Sequence, residues 1–469
     1  MPEDRTLASR LGRPPCRLAA LCLILPALAM LAPAAPLHSA GAPAERPVPR
    51  LPNIVILTVD ALRADRLSAY GYRRPTSPHI DRLLASGVRF TDARTVEPLT
   101  GPALSSLFTS LYPHEHGATR NGLRLRQGLP SLARTLARRG YRTAAFVGSW
   151  TLRNRISGLG EHFSRYDEVL TRKRWFGIWK GEATAEDLTD AALAWLAAGH
   201  GADARPFLLW VHYVEPHAPY RFHEQLAPRL GIGAAAEAGR SDCYDTEVAF
   251  ADQHLGRLVA ALDADPLLRA NTLIVFAADH GESLGEHRYW GHGRNLYEQT
   301  LRIPFGMSWP GRLATATIGA PALILDIAPT VLHLAGLPPL PGARGFDWTP
   351  VLSGSEPPPQ GRVTWFEAHK GAVLSPLETG SARLHGLLEV GMIASGTKEI
   401  LRLGGREHWL FDLTADPGET GTSTTAPPSA RLSRWFAAVR GGLLAADRLP
   451  TADPTAESVA RLRSLGYAD

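Results

Sequence analysis

Stretches of almost unbroken apolar residues recur along this chain, at 53–59, 143–147, 207–211 and 273–278. Continuous rather than alternating hydrophobicity is what a strand buried on both faces requires, as in the centre of a parallel sheet. Between these runs, 78–86, 131–139, 184–198 and 244–262 place apolar residues at helical spacing. Strands alternating with helices predict an α/β fold built on a doubly wound, mainly parallel sheet. Each apolar run stops at a polar or small residue: Asp60, Gly148-Ser149, His212 and Asp279-His280. Open α/β sheets bind ligands at the carboxyl ends of their strands, so these side chains are expected on one edge.

Beyond about position 355 the pattern changes to shorter β-like runs at 362–367, 387–394 and 398–403. Trp409-Leu410-Phe411-Asp412-Leu413 leads into a turn at Asp416-Pro417-Gly418, and a helix is expected over 430–446. This half predicts a smaller C-terminal α+β subdomain. The expected organisation is a leader at 1–40, a Pro- and Ala-rich linker at 41–52, a catalytic domain at 53–354 and the subdomain at 355–469.

The leader reads as an export signal. Arg5, Arg10, Arg13 and Arg17 precede an apolar segment at 18–35, and Leu37-His38-Ser39-Ala40 offers a small-residue cleavage site. The segment approaches the roughly 18 residues that span a bilayer, so an uncleaved anchor, with membrane association through the N-terminus, is the alternative. Either way a periplasmic or secreted location is expected. The formal net charge is +5 over 469 residues, and the basic residues are scattered rather than clustered. Nucleic acid is not an expected partner. Cys16 and Cys22 lie in the leader; if it is removed, Cys243 alone remains and no intrachain disulfide or cysteine-based zinc site is expected.

Two residues carry ambiguous chemistry on their own. Asp60 at a strand end is either a metal ligand or a helix cap. Thr100, followed by Gly101 and Pro102, suits the first turn of a helix. It is either an N-cap or a nucleophile served by free N–H groups and the positive end of the helix dipole. Asp279 and His280 are adjacent at another strand end, where both can turn toward one cation.

The segment from Val96 through Thr100-Gly101-Pro102-Ala103-Leu104 to Leu107-Phe108-Thr109-Ser110-Leu111-Tyr112-Pro113-His114 resembles the active-site signature of the sulfatase family, within the alkaline phosphatase superfamily. In that family a Cys or Ser two residues before a Pro is oxidised to formylglycine. Here that slot holds Thr100, which cannot be converted, so no formylglycine is expected. Superfamily members that move phosphoryl groups place an unmodified threonine there. Ala278-Asp279-His280-Gly281-Glu282-Ser283-Leu284-Gly285-Glu286 resembles the family's later metal-binding segment, and the 409–418 stretch its C-terminal signature.

The resemblance implies a metal held by Asp60, Thr100, Asp279 and His280. Calcium-type members carry a second acid where this chain has Ala61, and often Asn where it has His280. A mixed oxygen and nitrogen set favours Zn or Mn over Ca. The family's arginine after the proline is also missing, since Ala103-Leu104 stands there. His217, in His212-Tyr213-Val214-Glu215-Pro216-His217, and His292, in Tyr289-Trp290-Gly291-His292-Gly293, are expected to contact the substrate or leaving group. With Glu215 they form a candidate second metal site. His116, Arg120 and Asn121 are candidate anion contacts. Asp245, Asp252 and Arg257 read as structural.

The expected function is an exported, metal-dependent hydrolase or transferase. Its substrate would be a small-molecule, glycan or lipid anionic ester, with phosphoryl transfer favoured. The alternatives are a sulfuric ester hydrolase that uses Thr100 directly, and a non-catalytic anion-binding protein on the same scaffold.

Overall fold

The computed structural model describes residues 51–447 apart from 175–178, 200–202, 204, 373–381, 405–406 and 422. The expected leader and most of the linker lie outside the described residues. No described helix is long and apolar enough to cross a membrane.

The apolar runs become the middle of an eight-stranded sheet. Its strands are β1 (Asn53–Val59), β2 (Val88–Phe90), β3 (Arg142–Val147), β4 (Arg165–Glu168), β5 (Phe207–Tyr213), β6 (Thr272–Ala278), β7 (Phe305–Ser308) and β8 (Ala316–Ile318). Their order across the sheet is β8-β2-β7-β6-β1-β5-β3-β4. β1 pairs in parallel with β5 on one side and β6 on the other. β3 continues the parallel set beyond β5, and β4 beyond β3. Every residue of β1, β5 and β6 is buried, which explains their unbroken hydrophobicity. Each Ile, Leu or Val placed there contributes roughly 1.5–3 kcal/mol relative to exposure. β7 runs antiparallel between β6 and β2. This edge was not expected, because its strands are too short to carry a period of their own.

The helices pack on both faces: α1 (Pro78–Ala85), α2 (Thr100–Thr109), α3 (Leu132–Arg138), α4 (Ala185–Gly199), α5 (Arg240–Ala264) and α6 (Ile327–Leu334). α5 starts before the expected position 244, because the Asp242 carboxylate turns back to accept the Gly239 N–H at 3.0 Å. Asp252 on α5 accepts the His79 and Ile80 N–H groups at the start of α1, at 3.0 and 2.7 Å. Asp245 pairs with Arg66 and Arg74, and Arg257 with Asp190. These residues hold helices together, as their sequence reading anticipated.

A second, antiparallel sheet follows: β9 (Thr364–His369), β10 (Leu387–Ala394), β11 (Thr397–Arg402), β12 (Glu407–Asp412) and β13 (Ser423–Thr424). α7 (Ala430–Ala446) packs on it through Leu432, Val439 and Leu443. The doubly wound α/β core with a small C-terminal antiparallel sheet is thus the fold the periodicity predicted.

Buried polar groups join the two sheets. Lys398 of β11 is fully buried and reaches Glu298 at 3.0 Å and Glu419 at 2.6 Å. Arg94 grips the other side of Glu298 at 2.8–3.0 Å. Near the start of α2, Glu97 accepts from the His369 ring nitrogen at 2.7 Å and its backbone N–H at 3.0 Å. Beyond the end of α2, His114 contacts Glu367 at 2.5 Å. The helix that carries Thr100 is therefore clamped at both ends by β9.

Candidate active site

Three chain segments converge at the carboxyl edge of the central strands. Asp60 follows β1, Asp279 follows β6, and Thr100 opens α2. All three side chains, and His280, are at most 1% exposed. The threonine hydroxyl lies 3.5 Å from Asp60 Oδ1 and 3.4 Å from His280 Nε2. His280 Nε2 is also 3.5 Å from Asp60 Oδ1 and 3.6 Å from Asp279 Oδ2.

Local backbone geometry sets each of these groups. Ala61 occupies the left-handed region, with φ 54°. This tight turn lets its N–H donate to Asp279 Oδ1 at 3.1 Å, so the residue replacing the expected second acid orients the other carboxylate. Asp279 Oδ1 also accepts the His280 N–H at 2.7 Å. His280 Nδ1 donates to the Gly281 carbonyl at 2.8 Å, which leaves Nε2 with its lone pair toward the cluster. Gly281 is required because a Cβ there would sit 2.1 Å from the Gln299 carbonyl oxygen.

Electrostatics sharpen the picture. Burial pushes the Asp60 carboxyl up to about 8. Burial, and then the charge of Asp60, holds Asp279 well above the carboxylate range. His280 is held well below its ordinary value, by burial first and by His292 next. The outer oxygens Asp60 Oδ2 and Asp279 Oδ2 have no hydrogen-bond partner although both are buried. One ligand atom from each of Asp60, Asp279 and His280 lies within 4.8 Å of the others. Crowded buried carboxylates, orphaned oxygens and a free imidazole lone pair are what a divalent cation would satisfy. The donor set fits one.

His292 stands beside this group, its ring centroid 4.2 Å from that of His280 and 5.1 Å from that of His217. Its Nδ1 contacts Glu282 Oε1 at 3.0 Å. Burial disfavours the charged ring, but Glu282, with Asp60 and Asp279, outweighs it and raises His292 above its ordinary value. Glu215 is turned elsewhere. Its Oε2 accepts the Ala185 N–H at 2.9 Å, at the start of α4. Among the described residues, Glu215, His217 and His292 do not form a compact group of ligand atoms as Asp60, Asp279 and His280 do.

The other candidates separate. Asn121 Oδ1 accepts the Gly101 N–H at 3.0 Å, next to the threonine, and its Nδ2 has no partner although buried. Arg120 is buried and donates to the Ala372 carbonyl at 2.7 Å. His116 lies behind the site. Its Nδ1 accepts the Ala118 N–H at 3.1 Å and its Nε2 meets Ser106 Oγ at 3.0 Å, so it braces α2. Burial lowers it to about 3, and it stays neutral.

Sequence reasoning placed His212 on the ligand-binding edge but gave it no role. Trp210 Nε1 donates to Thr58 Oγ1 at 2.9 Å, and that hydroxyl contacts His212 Nδ1 at 2.9 Å. His212 Nε2 then faces Asp60 Oδ2 at 3.7 Å. Thr58 and His212 sit at the same level of paired parallel strands, and only the β1–β5 register reveals this. Glu282 was also missed as the partner of His292. Its place two residues after His280 is the one signal that could have drawn attention to it.

A sulfatase family model matches residues 52–337. The chain belongs to the sulfatase family. Human arylsulfatase A is 28% identical over 435 residues, covering 79% of this chain and 83% of that relative. The ulvan-active sulfatase of Formosa agariphila is 27% identical over 349 residues, covering 66% of each chain. Against that relative the chain spans about two thirds of the length. Among solved structures, the phosphonate monoester hydrolase SpPMH from Silicibacter pomeroyi superposes with a TM-score of 0.62 at 20% identity, covering 82% of this chain and 94% of that one. Ps i-CgsB in complex with k-i-k-neocarrahexaose superposes at 0.67 with 19% identity, covering 89% and 98%. At that identity the structural likenesses speak for the fold.

Proposed function

We propose that this chain is an exported, metal-dependent hydrolase or transferase of the sulfatase family that uses Thr100 as its nucleophile and prefers phosphate or phosphonate esters to sulfate esters. The coarse class, a hydrolase of anionic esters, rests on family membership. The observation that carries the finer reading is the buried threonine hydroxyl 3.5 Å from Asp60 and 3.4 Å from His280, on the first turn of α2.

Asp60, Asp279 and His280 would hold the cation, and the mixed donor set favours Zn or Mn over Ca. Such an ion supplies positive charge that lowers the pKa of a nearby hydroxyl and polarises the ester. The protein's own groups do the rest. His212 faces Asp60 and orients it. Asn121, anchored through its Oδ1, offers Nδ2–H to an oxygen of the transferred group. Thr100 releases its hydroxyl proton to solvent, and its Oγ, as alkoxide, forms the new bond to phosphorus while the bond to the leaving oxygen breaks. His292, held through Nδ1 by Glu282, would give a proton to that oxygen. Water or an acceptor alcohol then cleaves the threonine ester and restores the hydroxyl.

Phosphorus suits this route, because a phosphothreonine can be opened by attack at phosphorus. A sulfothreonine would need S–O cleavage, which formylglycine chemistry avoids by breaking C–O. The second reading, sulfate ester hydrolysis by unmodified Thr100, is supported by the names of the relatives, arylsulfatase A and ulvan-active sulfatase among them. A panel of phosphate monoester, phosphate diester, phosphonate ester and aryl sulfate, each with Mg, Ca, Mn and Zn, separates the two. Rapid quenching and peptide mapping should find the transferred group on Thr100. Preference for aryl sulfate would overturn the substrate half. Label on another residue would overturn the nucleophile. Metal binding with no turnover at all would favour the non-catalytic scaffold. Export rests on the Arg-rich start and the apolar 18–35 segment, and fractionation of the native host tests it.

A further inference from the structure

A cleft of about 210 Å³ opens beside the cluster, and both His217 and His292 line it. Pockets for drug-sized ligands run to roughly 300–1,000 Å³, so this cleft has room for about one ring of a leaving group. Arg240, Arg294 and Trp290 also line it. Trp290 is 41% exposed, unusual for so large an apolar side chain. It is not loose. Its backbone pairs with Leu284 in a short two-stranded ladder. Its ring lies against Gly285, where an added Cβ would come within 3.1 Å of it.

The Arg240 guanidinium carbon lies 4.3 Å from the centroid of the Trp290 ring. Stacking of this kind holds the planar group flat while leaving its N–H edge unused. Arg240 is exposed and, among the described residues, has no carboxylate partner. The carboxylate that lines the cleft, Glu282, is buried and bonded to His292. A stacked cation without a carboxylate partner, lining a cleft beside the candidate active site, is an arrangement for capturing an anion.

We propose that Arg240, held by Trp290, binds a second anionic group carried by the leaving part of the substrate, so that the preferred substrates are esters of a small ring bearing its own negative charge. This rests on the ester-cleaving reading above and adds the identity of the leaving group. The reacting group would sit at Thr100, and the second anion at Arg240, in the cleft that His217 and His292 line beside it. Trp290 acts through Arg240 as a positioning residue.

The test compares phenyl phosphate with 4-carboxyphenyl phosphate, and phenyl sulfate with 4-carboxyphenyl sulfate, in the metal-loaded full chain. The wild type should favour the carboxylated member of the reactive pair by about tenfold or more in kcat/KM, mostly through KM, as expected for a charge-assisted contact. Arg240→Ala should bring that ratio close to one. Arg240→Lys should keep part of it, and Trp290→Ala should lower it. Salt should erode the ratio in the wild type and leave it flat in Arg240→Ala. Calorimetric titration of Thr100→Ala with phenyl phosphate and 4-carboxyphenyl phosphate measures the same preference without turnover. If neither ester pair is cleaved, the ester-cleaving reading falls, and the binding ratio still judges Arg240. Equal affinity for the two ligands, no binding of either, or an undiminished ratio in Arg240→Ala would overturn the proposal.

Discussion

Replacing Thr100 by alanine separates catalysis from folding, because the two effects differ in size by orders of magnitude. The side chain is completely buried on the first turn of α2. Its methyl group contributes about 0.8 kcal/mol by burial. The hydroxyl contributes little, since its contacts to Asp60 and His280, at 3.5 and 3.4 Å, are at the long limit for hydrogen bonds. Alanine regains up to roughly 0.7 kcal/mol of helix propensity. The net change in stability should fall within about 1 kcal/mol, which for a unit of this size moves Tm by roughly 2 °C. Loss of the nucleophile, by contrast, should lower kcat by roughly a thousandfold or more. The assay is a pair of measurements on one preparation: thermal unfolding with and without Mn or Zn, and turnover of the best ester from the panel. Thr100→Ser is the control, because it keeps the hydroxyl and should still take the covalent label. Turnover by Thr100→Ala within tenfold of wild type would refute the nucleophile. A loss of activity accompanied by a fall of several kcal/mol in stability would refute the claim that the residue serves chemistry rather than packing.

Other expectations follow from the same geometry. Asp279→Ala and His280→Ala should lose the metal found in the wild type by elemental analysis, along with the metal-induced rise in Tm; retention of wild-type metal content would discard the ligand assignment. Lys398→Met should destabilise the protein by about 3–5 kcal/mol in urea titrations, because Glu419 loses its buried cation while the apolar stem is kept; Lys398→Met with Glu419→Gln should recover most of that, and a loss below 1 kcal/mol in the single variant would argue against the seam. Glu298 is held below the ordinary carboxylate range, with Arg94 and Lys398 outweighing the effect of its burial. A depressed carboxylate contributes stability above its unfolded pKa, near 4.5, which is lost as pH falls through its folded value. Glu298→Gln should therefore flatten the acid limb of the stability curve below about pH 4.5, and an unchanged acid limb would count against the ion pair. His212→Phe should weaken metal binding more than it weakens folding, as read from metal titrations against urea midpoints; the opposite ranking would make His212 a packing residue.

The amino-acid sequence by itself determined the parts of this protein that depend on local pattern. Runs such as Asn53–Val59 and Thr272–Ala278 read as strands buried on both faces, because they are short, rich in Ile and Val, and end at polar residues. The residues that end those runs, and Pro102 after Thr100, marked strand ends and a helix start before any neighbour was known. The sequence could not say which ends meet. Ala61 and Asp279 lie 218 positions apart, and they touch because β6 pairs directly with β1. Likewise, His212 faces Asp60 only because β5 pairs with β1 in a register that puts Thr58 beside it. Glu215 looked like a ligand beside His217, yet its carboxylate is drawn to the unpaired N–H at the start of α4. The stacking of Arg240 on Trp290 joins a helix start to a hairpin 50 residues away, through a contact that no local period encodes. Periodicity reports how much of each segment is buried. Which buried groups become partners is decided by strand order and register, and these are properties of the whole sheet.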